Sequence, residues 1–206
     1  KSVWDIVQKV DEPGRSEVFF TFENKPNLKV NQPDGKGVFV HDPNDPEKEI
    51  PQFLNMIPED DNGVVLLTGM GLGYTPRAIL NERKKLQYVA VFDLDPEIFL
   101  QALRYMDLSA MLSDPRLILS IGPDPDIQRV LAPAQLALQL ENIHDLKHVP
   151  SFNLDKSSYE KLNQAVFSVA NQFNFGGGAL LTGGKAYTAN RFGNMLSMYK
   201  NRMIEE

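Results

Sequence analysis

The sequence predicts an α/β fold: a doubly wound, mostly parallel sheet with a small β-rich subdomain before it and helices after it. Three observations carry that prediction. Val64-Val-Leu-Leu-Thr68 is an apolar, β-branched-rich run that opens into alternating glycines, Gly69, Gly71 and Gly73, and then into helix-forming sequence. Tyr88-Val-Ala-Val-Phe-Asp93 is a second apolar run, ending in a carboxylate twenty residues after Gly73. Strand-like and helix-like stretches then keep alternating over short links, which places parallel strands in one sheet with helices on both faces.

Taken in order, residues 1–10 carry Val3, Trp4, Ile6, Val7 and Val10 near helical spacing, and Asp11-Glu-Pro-Gly14 closes that stretch with turn chemistry. Glu17–Glu23, Asn27–Val30 and Gly37–His41 are strand-like, and Asn31–Gly37 supplies a hairpin turn. The β-rich subdomain therefore covers residues 1–43. Pro46–Met56 is expected as a helix, because Pro46 suits a first turn, Glu47 and Glu49 favour the helix dipole, and Ile50, Phe53, Leu54 and Ile57 give an apolar face.

The α/β core is assigned to residues 44–155. Its first three strands are Val64–Thr68, Tyr88–Asp93 and Leu117–Ile121, with helices at Thr75–Glu82 and Pro96–Met106 between them. Ile127–Leu131 reads as helical, and the fourth strand falls at either Leu136–Leu140 or Asp145–Val149. Residues 156–206 are read as C-terminal helices. The first is Ser157–Phe173, with Tyr159, Leu162, Val166, Val169 and Phe173 on one side. A hinge at Gly176–Gly178 and a last helix around Ala186–Met203 follow.

Composition bounds the function. A chain of 206 residues makes one domain, with or without a small appendage. The net charge of −6 argues against a general nucleic-acid or anionic-membrane surface. The apolar runs are too short to span a bilayer, and the first residues contain no apolar signal segment. The chain opens on Lys1 without an initiating Met, so we expect a piece of a longer protein, with any upstream signal left open. The absence of cysteine removes disulfides, thiolate catalysis and Cys-based zinc sites, and fits a cytoplasmic protein.

The glycine turn and Asp93 both fall at C-terminal strand ends, where such sheets bind ligands. Glycines let a backbone approach a ligand closely, a helix N-terminus offers unpaired N–H groups, and a strand-end carboxylate accepts hydrogen bonds from ribose hydroxyls. The expected contacts are Gly69, Met70, Gly71, Gly73, Tyr74, Asp93, Leu94 and Asp124. Bulky Tyr74 in the sixth position departs from the Gly-x-Gly-x-x-Gly dinucleotide pattern. Asp93, Asp95 and Asp124, with Arg77 the sole nearby base, suit a sulfonium cation or a neutral nucleoside better than a pyrophosphate. Each residue also has a plainer reading: the glycines as a tight turn without ligand, Tyr74 as a core aromatic, Asp95 as the N-cap of the next helix, Asp124 as turn chemistry. His41, His144 and His148 read as dispersed, so no metal site is expected, and no Ser/His/Asp triad can be argued.

Gly69-Met-Gly-Leu-Gly73, Phe92-Asp-Leu-Asp-Pro-Glu97 and Asp114-Pro-Arg-Leu-Ile-Leu-Ser-Ile-Gly122 resemble, in order, three motifs of Rossmann-like S-adenosylmethionine-dependent methyltransferases, especially the spermidine-synthase-like branch. This resemblance implies S-adenosylmethionine or a related nucleoside as cofactor. Leu67 stands where most such enzymes carry an acid, and no catalytic motif follows the third strand. A second resemblance covers more of the chain. Pro26-Asn-Leu-Lys-Val30, Gly37-Val-Phe-Val-His41, Asp45-Pro-Glu-Lys-Glu49, Leu67–Tyr74, Phe92–Ile98, Leu112-Ser-Asp-Pro-Arg116 and Asn190-Arg-Phe-Gly-Asn194 are similar to the N-terminal region of the motility accessory factor family of flagellin glycosyltransferases. It implies a non-catalytic N-terminal domain whose partners are a C-terminal, pterin diphosphokinase-like transferase domain and flagellin, with the chain ending about where that domain would begin. Three readings follow: such a scaffold domain, a self-standing S-adenosylmethionine-dependent methyl- or aminopropyltransferase, and a domain with a vestigial pocket whose helices after Ser157 serve homo-oligomeric assembly.

Overall fold

The computed structural model describes residues 10, 14–33 and 35–182, with side chains through residue 173. The expected helices at 1–10 and 186–203 lie outside the described residues. Strands β1 (Ser16–Phe20), β2 (Pro26–Asn31) and β3 (Gly37–Phe39) form an antiparallel sheet in that order. β1 is shorter than the apolar run implied, because Thr21 and Asn24 close a turn that leaves Phe22 outside the sheet and fully exposed. Helix α1 (Ile50–Asn55) starts four residues later than expected, since Asp42, Asp45 and Glu47 spend the preceding backbone N–H groups on local turns.

The second sheet is parallel, in the order β6-β5-β4-β7, from β4 (Val64–Thr68), β5 (Tyr88–Asp93), β6 (Leu117–Ile121) and β7 (Ile143–Lys147). Helices α2 (Tyr74–Glu82) and α3 (Pro96–Tyr105) join the first three strands, with the short α4 (Ser109–Leu112) before β6. Then come α5 (Ile127–Leu131), a 3-10 turn and α6 (Gln135–Leu140); α7 (Val149–Leu154) and α8 (Lys156–Thr182) follow β7. Of the two places considered for the fourth strand, the C-terminal one holds, two residues early. Leu136–Leu140 is helical, because Ala134, Ala137 and Leu138 at helical spacing are the residues that reach the core. No hinge forms at Gly176–Gly178: α8 runs through them to Thr182.

Alternating side chains of β4 and β5 divide two cores. Val65, Leu67, Val89 and Val91 pack with Ile79, Leu80, Ile98, Phe99 and Ala102, and this cluster continues into Leu28, Val30 and Val40 of the small sheet region. Val64, Leu66, Ala90 and Phe92 pack against Leu131, Ala137, Leu138, Leu162, Val166 and Ala170. Both faces of the central strands are thus buried, which is why they read as unbroken apolar runs. The result is a Rossmann-like doubly wound sheet. Its order reverses between β4 and β7, and the crevice at that reversal is the usual ligand position of such folds.

Candidate functional site

The glycine turn forms as its sequence requires. Gly69, Gly71 and Gly73 take φ of 82°, 54° and 91°, backbone that L side chains rarely adopt. Gly73 caps α2, and Gly69 N–H donates to the Phe92 carbonyl, tying the turn to the neighbouring strand. Asp93 ends β5 and Asp95 caps α3, accepting from the N–H groups of Glu97 and Ile98. Turn and carboxylate meet: Met70 N–H donates to Asp93 Oδ2 at 2.8 Å.

What fills the space around them is protein. Asp93 Oδ1 accepts from Asp95 N–H at 3.0 Å and from the Tyr159 hydroxyl at 2.6 Å. Each carboxylate oxygen faces an obligate N–H donor, so the acceptor-only form fits the site. Burial pushes the Asp93 carboxyl up, and the bonds from Tyr159, Asp95 and Met70 offset part of that rise. Burial, then the adjacent Asp93, raises the Tyr159 hydroxyl. Arg15, which the sequence did not single out, pairs with Asp95 and Glu97. Arg77 instead lies over the Tyr74 ring and reaches Glu47.

The crevice between β4 and β7 is occupied by a polar cluster. A side chain at Gly71 would put its Cβ 2.5 Å from His41 Nε2, and one at Gly69 would meet Ser151 Cβ at 2.7 Å. The glycines therefore admit an imidazole and a serine. Leu72 N–H donates to His41 Nε2 at 2.9 Å, which leaves the His41 proton on Nδ1, 3.1 Å from Glu49 Oε1. The same oxygen lies 3.1 Å from His148 Nε2 and accepts from Thr75 Oγ1 at 3.0 Å, while His148 Nδ1 is 2.7 Å from Ser151 Oγ. Burial would raise the Glu49 carboxyl, but the bonds from His148 and His41 outweigh it and hold the group well below the usual carboxylate range. Burial lowers His41, against the pull of Glu49.

Two histidines read as dispersed thus stand 5.1 Å apart between ring centres, joined by a glutamate assigned only to a helix dipole. Nothing in local spacing pairs residues 41, 49 and 148; β7 beside β4 does. The three ligand atoms lie within 4.8 Å of one another, close enough for a divalent ion to bridge. Bond polarity opposes that use. A metal-bound imidazole carries a proton on its other nitrogen and donates it, whereas His41 Nε2 accepts from a backbone N–H. The cluster fits a chain of directed protons better than an ion. Ser151, His148 and Glu49 also line up as a hydroxyl–imidazole–carboxylate series, but Ser151 is fully buried. His144 pairs with Asp61 instead.

The remaining expected contacts divide. Met70 is fully buried, and Tyr74 sits in the core with its hydroxyl donating to the Pro26 carbonyl at 2.8 Å and its ring edge-on to His41. Leu94 is half-buried and packs against the second core, and Asp124 is exposed on the loop after β6.

No family model and no curated protein matches the chain. Solved structures do. One is a spermidine synthase in complex with the transition state analogue AdoDATO, at 17% identity and a TM-score of 0.34, covering 59% of this chain and 53% of that one. Another is spermidine synthase from Thermotoga maritima, at 15% identity and a TM-score of 0.34, covering 68% of this chain and 56% of that one. The chain spans about half the length of these proteins.

Proposed function

We propose that this chain is a non-catalytic Rossmann-like domain, the N-terminal portion of a motility accessory factor-type flagellin glycosyltransferase, whose ligand crevice is closed by its own side chains and which serves as a scaffold beside a transferase domain. One observation carries the non-catalytic part. Asp93, the carboxylate a ribose would need, is fully buried and bonded to Met70, Asp95 and Tyr159. The family part rests on the ordered motifs from Pro26-Asn-Leu-Lys-Val30 to Asn190-Arg-Phe-Gly-Asn194.

Calorimetry of the wild-type chain with S-adenosylmethionine and S-adenosylhomocysteine tests the closed crevice. At ligand concentrations of about 1 mM, where even a weak site of roughly −4 kcal/mol would half fill, no saturable heat is expected. Saturable binding would transfer support to the alternative, a self-standing S-adenosylmethionine-dependent methyl- or aminopropyltransferase. The family part is tested separately: a gene whose reading frame encodes no transferase-like region beyond these motifs removes it.

A further inference from the structure

The side chains that close the site come largely from one continuous strap, residues 148–159. His148 and Ser151 lie against Gly69, Phe152 packs its ring 5.4 Å from that of Tyr159, and Tyr159 reaches Asp93. The strap joins two firmly seated elements. β7 is in register with β4 up to Lys147, and beyond Tyr159 the α8 residues Leu162, Val166 and Ala170 pack into the second core. Its own fastenings are both polar and apolar: His148 meets Glu49, the Gln32 side chain donates to the carbonyls of Asn153 and Leu154, Phe152 and Tyr159 are buried, and Leu154 packs against the first core.

At Asp93 the three donors are not equivalent. Met70 and Asp95 give backbone N–H groups from turns built around the carboxylate itself, 23 and 2 residues away. Tyr159 gives a side-chain hydroxyl across 66 residues. A carboxylate offers about four lone-pair positions, and these bonds use three. Without the phenol, the fixed backbone donors would leave two acceptor positions, a match for two adjacent hydroxyls.

We propose that Tyr159 is a built-in occupant of a vicinal-diol site. Its hydroxyl stands at Asp93 where a sugar hydroxyl of a nucleoside-class ligand would stand, and the strap that carries it keeps such ligands out. This rests on the closed-crevice reading and names the residue responsible.

The test compares adenosine with its dideoxy analogue, which lacks the vicinal pair of ribose hydroxyls and keeps the primary one, on wild type and on Tyr159→Ala, using ligand-observed NMR and calorimetry. Tyr159→Ala is expected to bind adenosine at least about tenfold more tightly than the dideoxy compound, the factor that one lost charge-assisted bond implies, and Tyr159→Ala/Asp93→Asn to lose that preference. Wild type is expected to bind neither. A folded Tyr159→Ala that binds neither compound, or both equally, overturns the proposal and leaves the closed-crevice reading intact. Wild type binding adenosine as tightly as the variant overturns both. Tyr159→Leu, which keeps apolar bulk without the hydroxyl, is scored by the same criteria. If neither variant folds alone, adenosine must restore folding where the dideoxy compound does not, and failure to do so also overturns the proposal.

Discussion

Asp93 is a carboxylate buried at the tip of β5. It would be costly alone, yet two backbone N–H groups and one phenol satisfy it. Tyr159→Phe removes one of the three donors to a charged acceptor and should cost about 1.5–3 kcal/mol, measured by urea unfolding. Asp93→Asn should cost more, about 3 kcal/mol or above, because an amide nitrogen must then face a backbone N–H. Equal losses would mean that Tyr159 carries nearly all of the network. Gly71→Ala combines a positive φ with a Cβ 2.5 Å from a fixed imidazole, so a loss of roughly 2–4 kcal/mol is expected. Gly35→Ala has the same backbone strain and open space around it, and should lose about 1 kcal/mol.

At the scale of elements, the His41–Glu49–His148 cluster fastens the small sheet region, the approach to α1 and the start of α7 to the glycine turn. Its pH dependence follows from the directions of the shifts. Glu49 is depressed in the fold, so its contribution is present above the unfolded value near 4.5 and is lost as pH falls toward the folded value. His41 is also depressed, so the unfolded chain takes up its proton first, and stability falls as pH drops below about 6.5. Both make the protein weaker in acid. Asp93, raised by burial, acts in the opposite sense. Comparing melting temperatures of wild type and Glu49→Gln from about pH 7 down to about pH 3 cancels Asp93, and the wild type should lose its advantage as pH falls below about 4.5. A constant difference would mean that Glu49 does not couple to titration. The polarity at His41 also predicts that added zinc raises the melting temperature little; a large rise abolished by His148→Ala would favour an ion.

At the scale of the molecule, the small sheet and the parallel sheet share one hydrophobic cluster, with Leu28, Val30 and Val40 beside Val65 and Leu67. They should unfold together. Far-UV and near-UV circular dichroism transitions are expected to coincide, and Leu28→Ala should lower both by the roughly 2–5 kcal/mol typical of a buried leucine. Separate transitions would divide the chain into independent units. Among the described residues, no helix is long and apolar enough to cross a membrane.

The sequence by itself determined the strands β4, β5 and β6, the glycine turn and the acid at the tip of β5. These depend on short-range causes: unbroken apolar runs, positive-φ glycines, and Asp95 capping a helix that Pro96 begins. Weak periodicity left β7 ambiguous with α6, and three consecutive glycines suggested a break where α8 continues. Only the tertiary structure decided what meets the turn and the acid. His41 comes from 31 residues before Leu72, His148 from 99 residues after Glu49, and Tyr159 from 66 after Asp93. No local pattern encodes those meetings, because they follow from β7 joining the sheet beside β4 and from α7 and α8 folding back over the strand ends. A glycine turn and a carboxylate have the same local signature whether a ligand or the protein's own side chains fill the space between them.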